Sequence, residues 1–234
     1  ESIAMARLAA EDGVRAIVAT PHTLNGVYIN PVEEITSRVT ALQEVLANNR
    51  IDIQLYPGAD THLCPHMMER IKSGEAGTMN DAGKYILLEL PWQTIPEGVK
   101  DEIFALKVNG ITPIITHPER NNGIQHDYEI LYELLRMGAL SQVTAMSLTG
   151  DFGTLLQLRA EYLLKHRLVH VIASDAHSAD RRPPLLSQAV EIAAEILGNH
   201  EEAARMVTEV PAAIISGETP DISEPRRPKA RSRF

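Results

Sequence analysis

Val169-His-Val-Ile-Ala-Ser-Asp175-Ala-His177 is a short apolar run that ends in a carboxylate and an imidazole. Runs of this kind are typical of buried parallel strands, and α/β proteins place their chemistry at the carboxyl ends of such strands. Three earlier runs have the same form and end in His22, Glu89 and His117. Divalent metal ions such as zinc prefer imidazole and carboxylate ligands together. Four strands that deliver these side chains to one rim predict a hydrolase site with several metal ions.

The composition narrows the class of protein. The chain has 234 residues, 44% of them hydrophobic, which suits an α/β protein with a buried core. Its single cysteine, Cys64, excludes a disulfide framework and is compatible with a reducing compartment. The net charge of −9 and an aromatic content of 4% argue against a nucleic-acid-binding protein. No apolar run reaches the length of about 18 residues that indicates a transmembrane helix. In keeping with the single cysteine, we predict a cytoplasmic protein.

Strand and helix patterns alternate along the chain without a break. The pattern predicts strands over residues 14–19, 51–56, 85–90, 111–116, 142–144 and 168–173. It predicts helices over residues 2–12, 31–46, 65–71, 96–108, 127–137, 153–166, 184–197 and 201–207. This alternation implies a parallel sheet with right-handed crossovers. Since no linker divides the chain, we expect one domain over residues 1–217.

Residues 218–234 form a C-terminal segment rich in proline and arginine. The last ten residues carry five basic and no acidic side chains, and their prolines exclude a continuous helix. We expect a disordered tail, with a contact to an anionic membrane or a partner protein as the alternative.

Six residues at or near strand ends are candidate metal ligands: His22, Asp60, Glu89, His117, Asp175 and His177. Taken alone, His22 could be a packing residue and Asp60 a turn or cap residue. Glu89 is stronger evidence because it follows the apolar run 86–88, where an unpaired charge would be costly. The remaining histidines, His62 among them, are interpreted as structural or solvent-facing.

Arginines that follow two of the strand ends are candidate phosphate ligands. Arg120 lies three residues after His117, and Arg181 and Arg182 lie shortly after His177, so at least one of these two is expected near the same rim. A guanidinium group offers a planar fork of donors that suits phosphate oxygens. The alternative for Arg120 is a surface ion pair with Glu119. The sequence contains no Gly-rich phosphate loop or Gly-x-Ser-x-Gly elbow. The residues therefore predict metal-assisted hydrolysis of a phosphoester.

Five motifs occur in order along the chain: Ala-Thr-Pro-His22, Pro-Gly-Ala-Asp60, Leu-Leu-Glu89, Thr-His117-Pro-Glu-Arg120 and Ala-Ser-Asp175-Ala-His177. As an ordered set they resemble the bacterial metal-dependent protein-tyrosine phosphatases of the PHP (polymerase and histidinol phosphatase) superfamily. These are the CpsB-type enzymes of capsule and exopolysaccharide operons. The resemblance runs from residue 1 to about residue 217.

The resemblance implies a distorted (β/α)7 barrel that carries two or three divalent metal ions at its carboxyl rim. Manganese is the expected metal, with iron, zinc, cobalt or magnesium as alternatives. Five of the candidate ligands match family motifs: His22, Glu89, His117, Asp175 and His177. Glu89 would bridge two ions. Asp60 stands where the family commonly has glutamate, and its shorter side chain would reach a metal ion through water or bind it less tightly. Arg120 and Arg182 would hold the phosphate while a metal-bound hydroxide attacks phosphorus. The implied substrate is a phosphotyrosine protein, usually the C-terminal tail of a bacterial tyrosine kinase.

The chain departs from the family pattern at its start. The family opens with a strand that carries His-x-His, followed by Asp-Asp-Gly, and neither motif precedes the helix predicted at residues 2–12. The resemblance therefore implies a barrel without its first strand and a metal site without several ligands. Truncation, rather than natural variation, is the expected cause.

Three other functions stay open at this point. The first is a PHP phosphatase for a small metabolite, such as histidinol phosphate or a nucleotide. The second is a related metal hydrolase that cleaves C–N bonds, for which the two arginines would be dispensable. The third is a non-catalytic interaction module that has lost its metal. A homo-oligomer is compatible with each of these functions.

Overall fold

A computed structural model describes residues 1–228 as an α/β fold. Its eight strands are β1 (Ala16–Ala19), β2 (His22–Thr23), β3 (Gln54–Pro57), β4 (Asp60–His62), β5 (Tyr85–Glu89), β6 (Thr112–Thr116), β7 (Leu140–Thr144) and β8 (Val171–Ala173). Its eleven α-helices are α1 (Ser2–Glu11), α2 (Val32–Asn48), α3 (Met67–Lys72), α4 (Val99–Val108), α5 (Asn122–His126), α6 (Tyr128–Arg136), α7 (Ala145–Thr149), α8 (Thr154–Lys165), α9 (Ser187–Leu197), α10 (His200–Arg205) and α11 (Glu209–Ser216). Within residues 1–228, no helix combines the length and the apolar character that crossing a bilayer requires.

The strands form a parallel sheet in two hydrogen-bonded parts. β1 pairs with β3, and the same two segments continue as β2 and β4, which pair with each other. The larger part has the order β2-β4-β5-β6-β7-β8. Every pairing between described strands is parallel. The predicted α/β class and parallel sheet are therefore confirmed.

Side chains of β5 alternate between two hydrophobic layers, as the pleat of a strand requires. Ile86 and Leu88 are buried in the main core beneath the outer helices. Tyr85 and Leu87 belong to a smaller inner cluster that also includes residues of α11. Glu89 follows the same alternation as Tyr85 and Leu87, so the carboxyl end of β5 delivers its carboxylate to the inner face.

The predicted strands and helices all occur in the structure, with bounds shifted by a few residues. Five elements were not predicted: β2, β4, α5, α7 and α11. β2 and β4 are two and three residues long, and each follows a proline that ends the preceding strand pattern. Pro211 lies in the first turn of α11, where a helix makes no use of the N–H that proline lacks. The weak strand predicted at residues 142–144 is the five-residue strand β7.

A cleft of about 1080 Å³ lies between β1 and β8, which are the edge strands of the two parts of the sheet. Residues of β1 and β8 line it, together with residues of α1, α9 and α11. Among residues 1–228, β1 has only β3 as a neighbour and β8 has only β7. The cleft extends to His22 and Asp175 at the carboxyl ends of these strands.

Residues 218–228 contain no helix or strand, but they lie against the rest of the chain. The Tyr85 hydroxyl donates to the Glu218 carbonyl over 2.7 Å, and the Arg226 N–H donates to the His166 carbonyl over 2.8 Å. The disorder predicted for residues 218–234 stays a prediction. The rest of the predicted tail, residues 229–234, lies outside the described residues, and the domain limit at residue 217 stays a prediction.

His170 gives the folded state a pH dependence that can be measured. Its side chain is buried, Nδ1 accepts from the Ser141 N–H over 3.1 Å, and burial lowers its pKa from 6.5 to about 4. As the pH falls, His170 becomes protonated near pH 6.5 in the unfolded chain but only near pH 4 in the folded protein. The free energy of unfolding therefore decreases as the pH drops from about 6.5 to about 4. We expect the titration of His170 to lower the free energy of unfolding by about 3 kcal/mol between pH 7 and pH 4.

The measurement is chemical unfolding in chelator between pH 7 and pH 4, for wild type and for His170→Asn. The asparagine keeps an acceptor for Ser141 but cannot titrate. Wild type should lose more unfolding free energy over this range than the variant. Equal pH dependence of the two proteins would contradict a neutral buried His170.

Candidate metal centre

The register of the parallel strands sets the candidate ligands on one face of the sheet. His22 is the partner of Asp60, and Asp60 is the partner of Leu87. One pair further along the strands, His62 is the partner of Glu89. Partners in neighbouring strands point to the same side, and Leu87 points to the inner cluster. The backbone alone therefore directs these polar side chains to the inner face at the carboxyl end of the sheet.

Four of the predicted ligands converge there. Ligand atoms of His22, Asp60 and Glu89 all lie within 4.8 Å of one another. His22 Nδ1 is 3.3 Å from Asp60 Oδ2 and 3.4 Å from Glu89 Oε2. His117 approaches from the end of β6, with Nε2 at 3.7 Å from Asp60 Oδ2 and 3.5 Å from Glu89 Oε1. Glu89 thus faces His22 with Oε2 and His117 with Oε1.

His62 joins this cluster, which corrects its interpretation as a structural or solvent-facing residue. Its Nδ1 lies 3.6 Å from Glu89 Oε2. The strand predicted over residues 51–56 ended before His62, and β4 was not predicted. The sequence therefore did not show that the His62 side chain lies on the inner face of the sheet. The signal that could have revealed it is the Asp60-Thr-His62 spacing, which equals that of Asp175-Ala-His177.

The imidazoles of the cluster favour the charged form of its two carboxylates. Burial raises the pKa of Asp60, but His117 and His22 outweigh it and hold that pKa well below its usual range. Burial also raises the pKa of Glu89, which His22 nonetheless brings below its usual value. In return, Asp60 and Glu89 raise the pKa of His22 to about 10. Two buried carboxylates are therefore ionised, and buried charges require a positive partner.

The residues present fit a divalent metal ion. The buried Nδ1 atoms of His22 and His62 lie 3.3 and 3.6 Å from their nearest carboxylate oxygens, but neither makes a hydrogen bond of normal geometry among the described residues. Buried polar atoms without partners are uncommon and call for an explanation, such as an ion. Carboxylate oxygens together with imidazole nitrogens suit the divalent metals of the first transition row. Binding would release the proton that His22 carries.

Asp175 faces the two predicted phosphate ligands. Its Oδ2 accepts from Arg120 Nη1 over 2.7 Å and also forms a short contact with Arg182 Nη2. Arg182 Nη2 donates to the Asp175 carbonyl as well, over 2.9 Å. Phe152 packs under both arginines, with its ring centroid 5.3 Å from the Arg120 guanidinium carbon and 5.6 Å from that of Arg182. One carboxylate and one aromatic ring therefore hold two guanidinium groups side by side.

Glu119 holds the loop that carries His117 and Arg120. It is fully buried, and its Oε1 accepts from the Thr144 N–H over 3.1 Å and from Ser147 Oγ over 2.7 Å. Burial raises its pKa. Arg120 therefore does not form the surface pair with Glu119 that the sequence left open. His117 has a φ of +35°, a strained conformation that persists only where neighbouring contacts enforce it.

The comparison with protein families decides the membership of this chain. The model for capsular polysaccharide synthesis proteins, CpsB/CapC, matches residues 1–216. The chain belongs to the CpsB/CapC family. The putative tyrosine-protein phosphatase CapC of Staphylococcus aureus is 37% identical over 188 residues, which cover 80% of this chain and 73% of CapC. The tyrosine-protein phosphatase YwqE of Bacillus subtilis is 32% identical over 234 residues, which cover all of this chain and 91% of YwqE.

A solved structure from the CpsB/CapC family has the same fold. This structure comes from a crystallographic study of YwqE from Bacillus subtilis and CpsB from Streptococcus pneumoniae, which are described there as unique metal-dependent tyrosine phosphatases. The match has a TM-score of 0.91 at 31% sequence identity and covers 97% of this chain and 91% of the solved chain. The resemblance to CpsB-type phosphatases is thereby confirmed.

In this CpsB/CapC chain, the structure divides the six predicted ligands into two groups. His22, Asp60, Glu89 and His117 converge in the buried cluster. Asp175 instead contacts the two arginines, because its loop turns sharply at a φ of +49°. The His177 side chain is 44% exposed, and its ring centroid lies 6.1 Å from that of His22. The role of all six as metal ligands stays a prediction.

Proposed function

We propose that this chain is a metal-dependent tyrosine-protein phosphatase of capsule or exopolysaccharide synthesis. The observation that carries the proposal is the position of the buried carboxylate–imidazole cluster beside a pair of arginines on one rim of a parallel sheet. Family membership and the names of the relatives support the same activity. The cluster suits cations, and the arginine pair suits a phosphate dianion.

We assign the metal ions to the buried cluster. His22, Asp60, Glu89 and His117 would hold divalent ions, two or three in number and manganese by preference, with Asp175 and His177 as further ligands. The two oxygens of Glu89 face different histidines, which supports a bridging role for this carboxylate. When bound, such ions lower the pKa of water to produce a nucleophile and stabilise negative charge on phosphate oxygens.

The chain's own residues bind and orient the phosphate. Arg120 and Arg182 donate to its oxygens, where negative charge is concentrated in the transition state of phosphoryl transfer. Asp175 and Phe152 keep both guanidinium groups in place before substrate binds, so less ordering is needed on binding. The leaving phenolate has a pKa of about 10, so it needs only modest protonation to depart.

We further propose a PHP-type distorted (β/α)7 barrel, a cytoplasmic location for this protein and a tyrosine kinase as its substrate. The wholly parallel pairing and the cleft shared by β1 and β8 support a sheet that curves towards closure. The proposed substrate is the phosphorylated C-terminal tyrosine cluster of a bacterial tyrosine kinase, in keeping with the role of the family in capsule synthesis.

A substrate panel tests this function. A phosphotyrosine peptide, a phosphoserine peptide, histidinol phosphate and a nucleoside monophosphate are assayed with and without Mn²⁺. We expect metal-dependent turnover of the phosphotyrosine peptide with a kcat/KM at least about 100-fold above that of the others. Turnover of histidinol phosphate or the nucleotide with an inert phosphotyrosine peptide would favour the small-metabolite phosphatase instead.

A further inference from the structure

Trp92 lies beside the candidate metal and phosphate site, and half of its side chain is exposed. Its ring centroid lies 5.3 Å from the guanidinium carbon of Arg120. The same indole is stacked near the His117 imidazole, with 6.5 Å between the ring centroids and 30° between the planes. A large exposed aromatic surface thus adjoins one predicted phosphate ligand and one predicted metal ligand.

The backbone around Trp92 is tied to the loop that follows Arg120. The Trp92 carbonyl accepts from the Asn122 N–H over 2.9 Å, and the Pro91 carbonyl accepts from Asn121 Nδ2 over 2.8 Å. The Asn122 side chain adds a bond to Gln93 over 2.8 Å. These bonds hold the Trp92 backbone against the loop that follows Arg120, so the indole extends from a defined position beside the arginine.

We propose that Trp92 forms the wall that takes the phenyl ring of the substrate and selects aryl over alkyl phosphomonoesters. This inference rests on the proposed phosphatase function and names a residue that would determine the specificity of its site. The phenyl ring of an aryl phosphate is bonded to the ester oxygen, so it must lie next to the phosphate that Arg120 binds. An adjacent indole gains contact area and aromatic stacking with this ring. A methyl or seryl ester presents no such surface.

The alternative role of Trp92 is to position Arg120 and His117 by packing against them. The two roles differ in what they do to different substrates. Loss of a positioning residue impairs every phosphoester alike, because all of them need the same arginine. Loss of a ring-binding wall impairs aryl esters alone.

Binding can be measured directly, because Trp92 is the only tryptophan of the chain and reports through its own fluorescence. Metal-loaded protein is titrated with phenylphosphonate, methylphosphonate and inorganic phosphate, which contain no ester bond to hydrolyse. We expect phenylphosphonate to change the emission saturably and to bind about tenfold more tightly than methylphosphonate. Equal affinities of the two phosphonates would contradict a role of Trp92 in binding the phenyl ring, but would not contradict the phosphatase function. Binding of none of the three anions would overturn the phosphate site and the inference with it.

Kinetics of three variants provide the second test. Trp92→Ala should lower kcat/KM for phenyl phosphate about tenfold, chiefly through KM, with little change for methyl phosphate. Trp92→Phe should recover most of the loss because it restores an aromatic ring. Phe104→Ala, which removes an exposed aromatic side chain of α4, should leave both substrates unchanged. Equal losses on phenyl and methyl phosphate in Trp92→Ala would overturn the inference.

Discussion

Glu89→Gln should lower kcat/KM for phosphotyrosine hydrolysis by at least about 100-fold. The substitution keeps the shape of the side chain but replaces an anionic oxygen by an amide nitrogen that cannot bind a metal ion. Glu89 faces His22 through Oε2 and His117 through Oε1, so both sides of the cluster lose their shared ligand. The measurements are kcat/KM from steady-state kinetics and the amount of metal that stays bound after dialysis. Both values should be lower in the variant than in wild type.

A thermal shift separates metal loss from misfolding. Mn²⁺ should raise the melting temperature of wild type, because a ligand that binds only the folded state stabilises it. It should raise the melting temperature of Glu89→Gln much less. Glu44→Gln, the same chemical change at an exposed position of α2, should behave like wild type in every assay. A Glu89→Gln protein with wild-type metal content and activity would refute the assigned cluster.

Arg120→Ala and Arg182→Ala should each raise KM for phosphoesters by about 10- to 100-fold. Each guanidinium would make charge-assisted hydrogen bonds to phosphate, and removal of one leaves Asp175 with a single arginine partner to hold in place. Arg120→Lys should recover only part of the loss, since an ammonium group cannot make the two parallel bonds of a guanidinium fork.

Arg181→Ala is the matched control for this pair. Arg181 is exposed and lies directly beside Arg182 in sequence, so its removal changes the net charge equally without touching the site. We expect its KM to equal that of wild type. An unchanged KM in both Arg120→Ala and Arg182→Ala would contradict phosphate recognition and would favour a hydrolase of C–N bonds.

Periodicity in the sequence predicted the elements of the fold well, because long apolar runs and amphipathic helices carry strong signals. The strand of β5 and the helix α6 are examples in which pattern and structure agree closely. The strands β2 and β4 escaped prediction because two or three residues cannot show a period. Helix α11 escaped because Pro211 reads as a helix breaker unless its position in the first turn is known.

The candidate site was predictable where a charged residue directly followed an apolar strand, as Glu89 does. The structure was needed for residues whose role depends on register or on distant partners. His62 reaches the cluster only because β4 pairs with β5 in register. Glu119 is buried because residues 144–147, far along the chain, supply its two donors. Sequence spacing contains neither relation.

The central claim is that the cluster of His22, Asp60, Glu89 and His117 holds metal ions that phosphotyrosine hydrolysis requires. Metal analysis of the purified protein, paired with a phosphotyrosine-peptide assay before chelation, after chelation and after addition of Mn²⁺, tests this claim most directly. We predict bound divalent metal, loss of both metal and activity on chelation, and recovery of both with Mn²⁺. A protein that binds no metal, or that hydrolyses the peptide equally well in chelator, would contradict it.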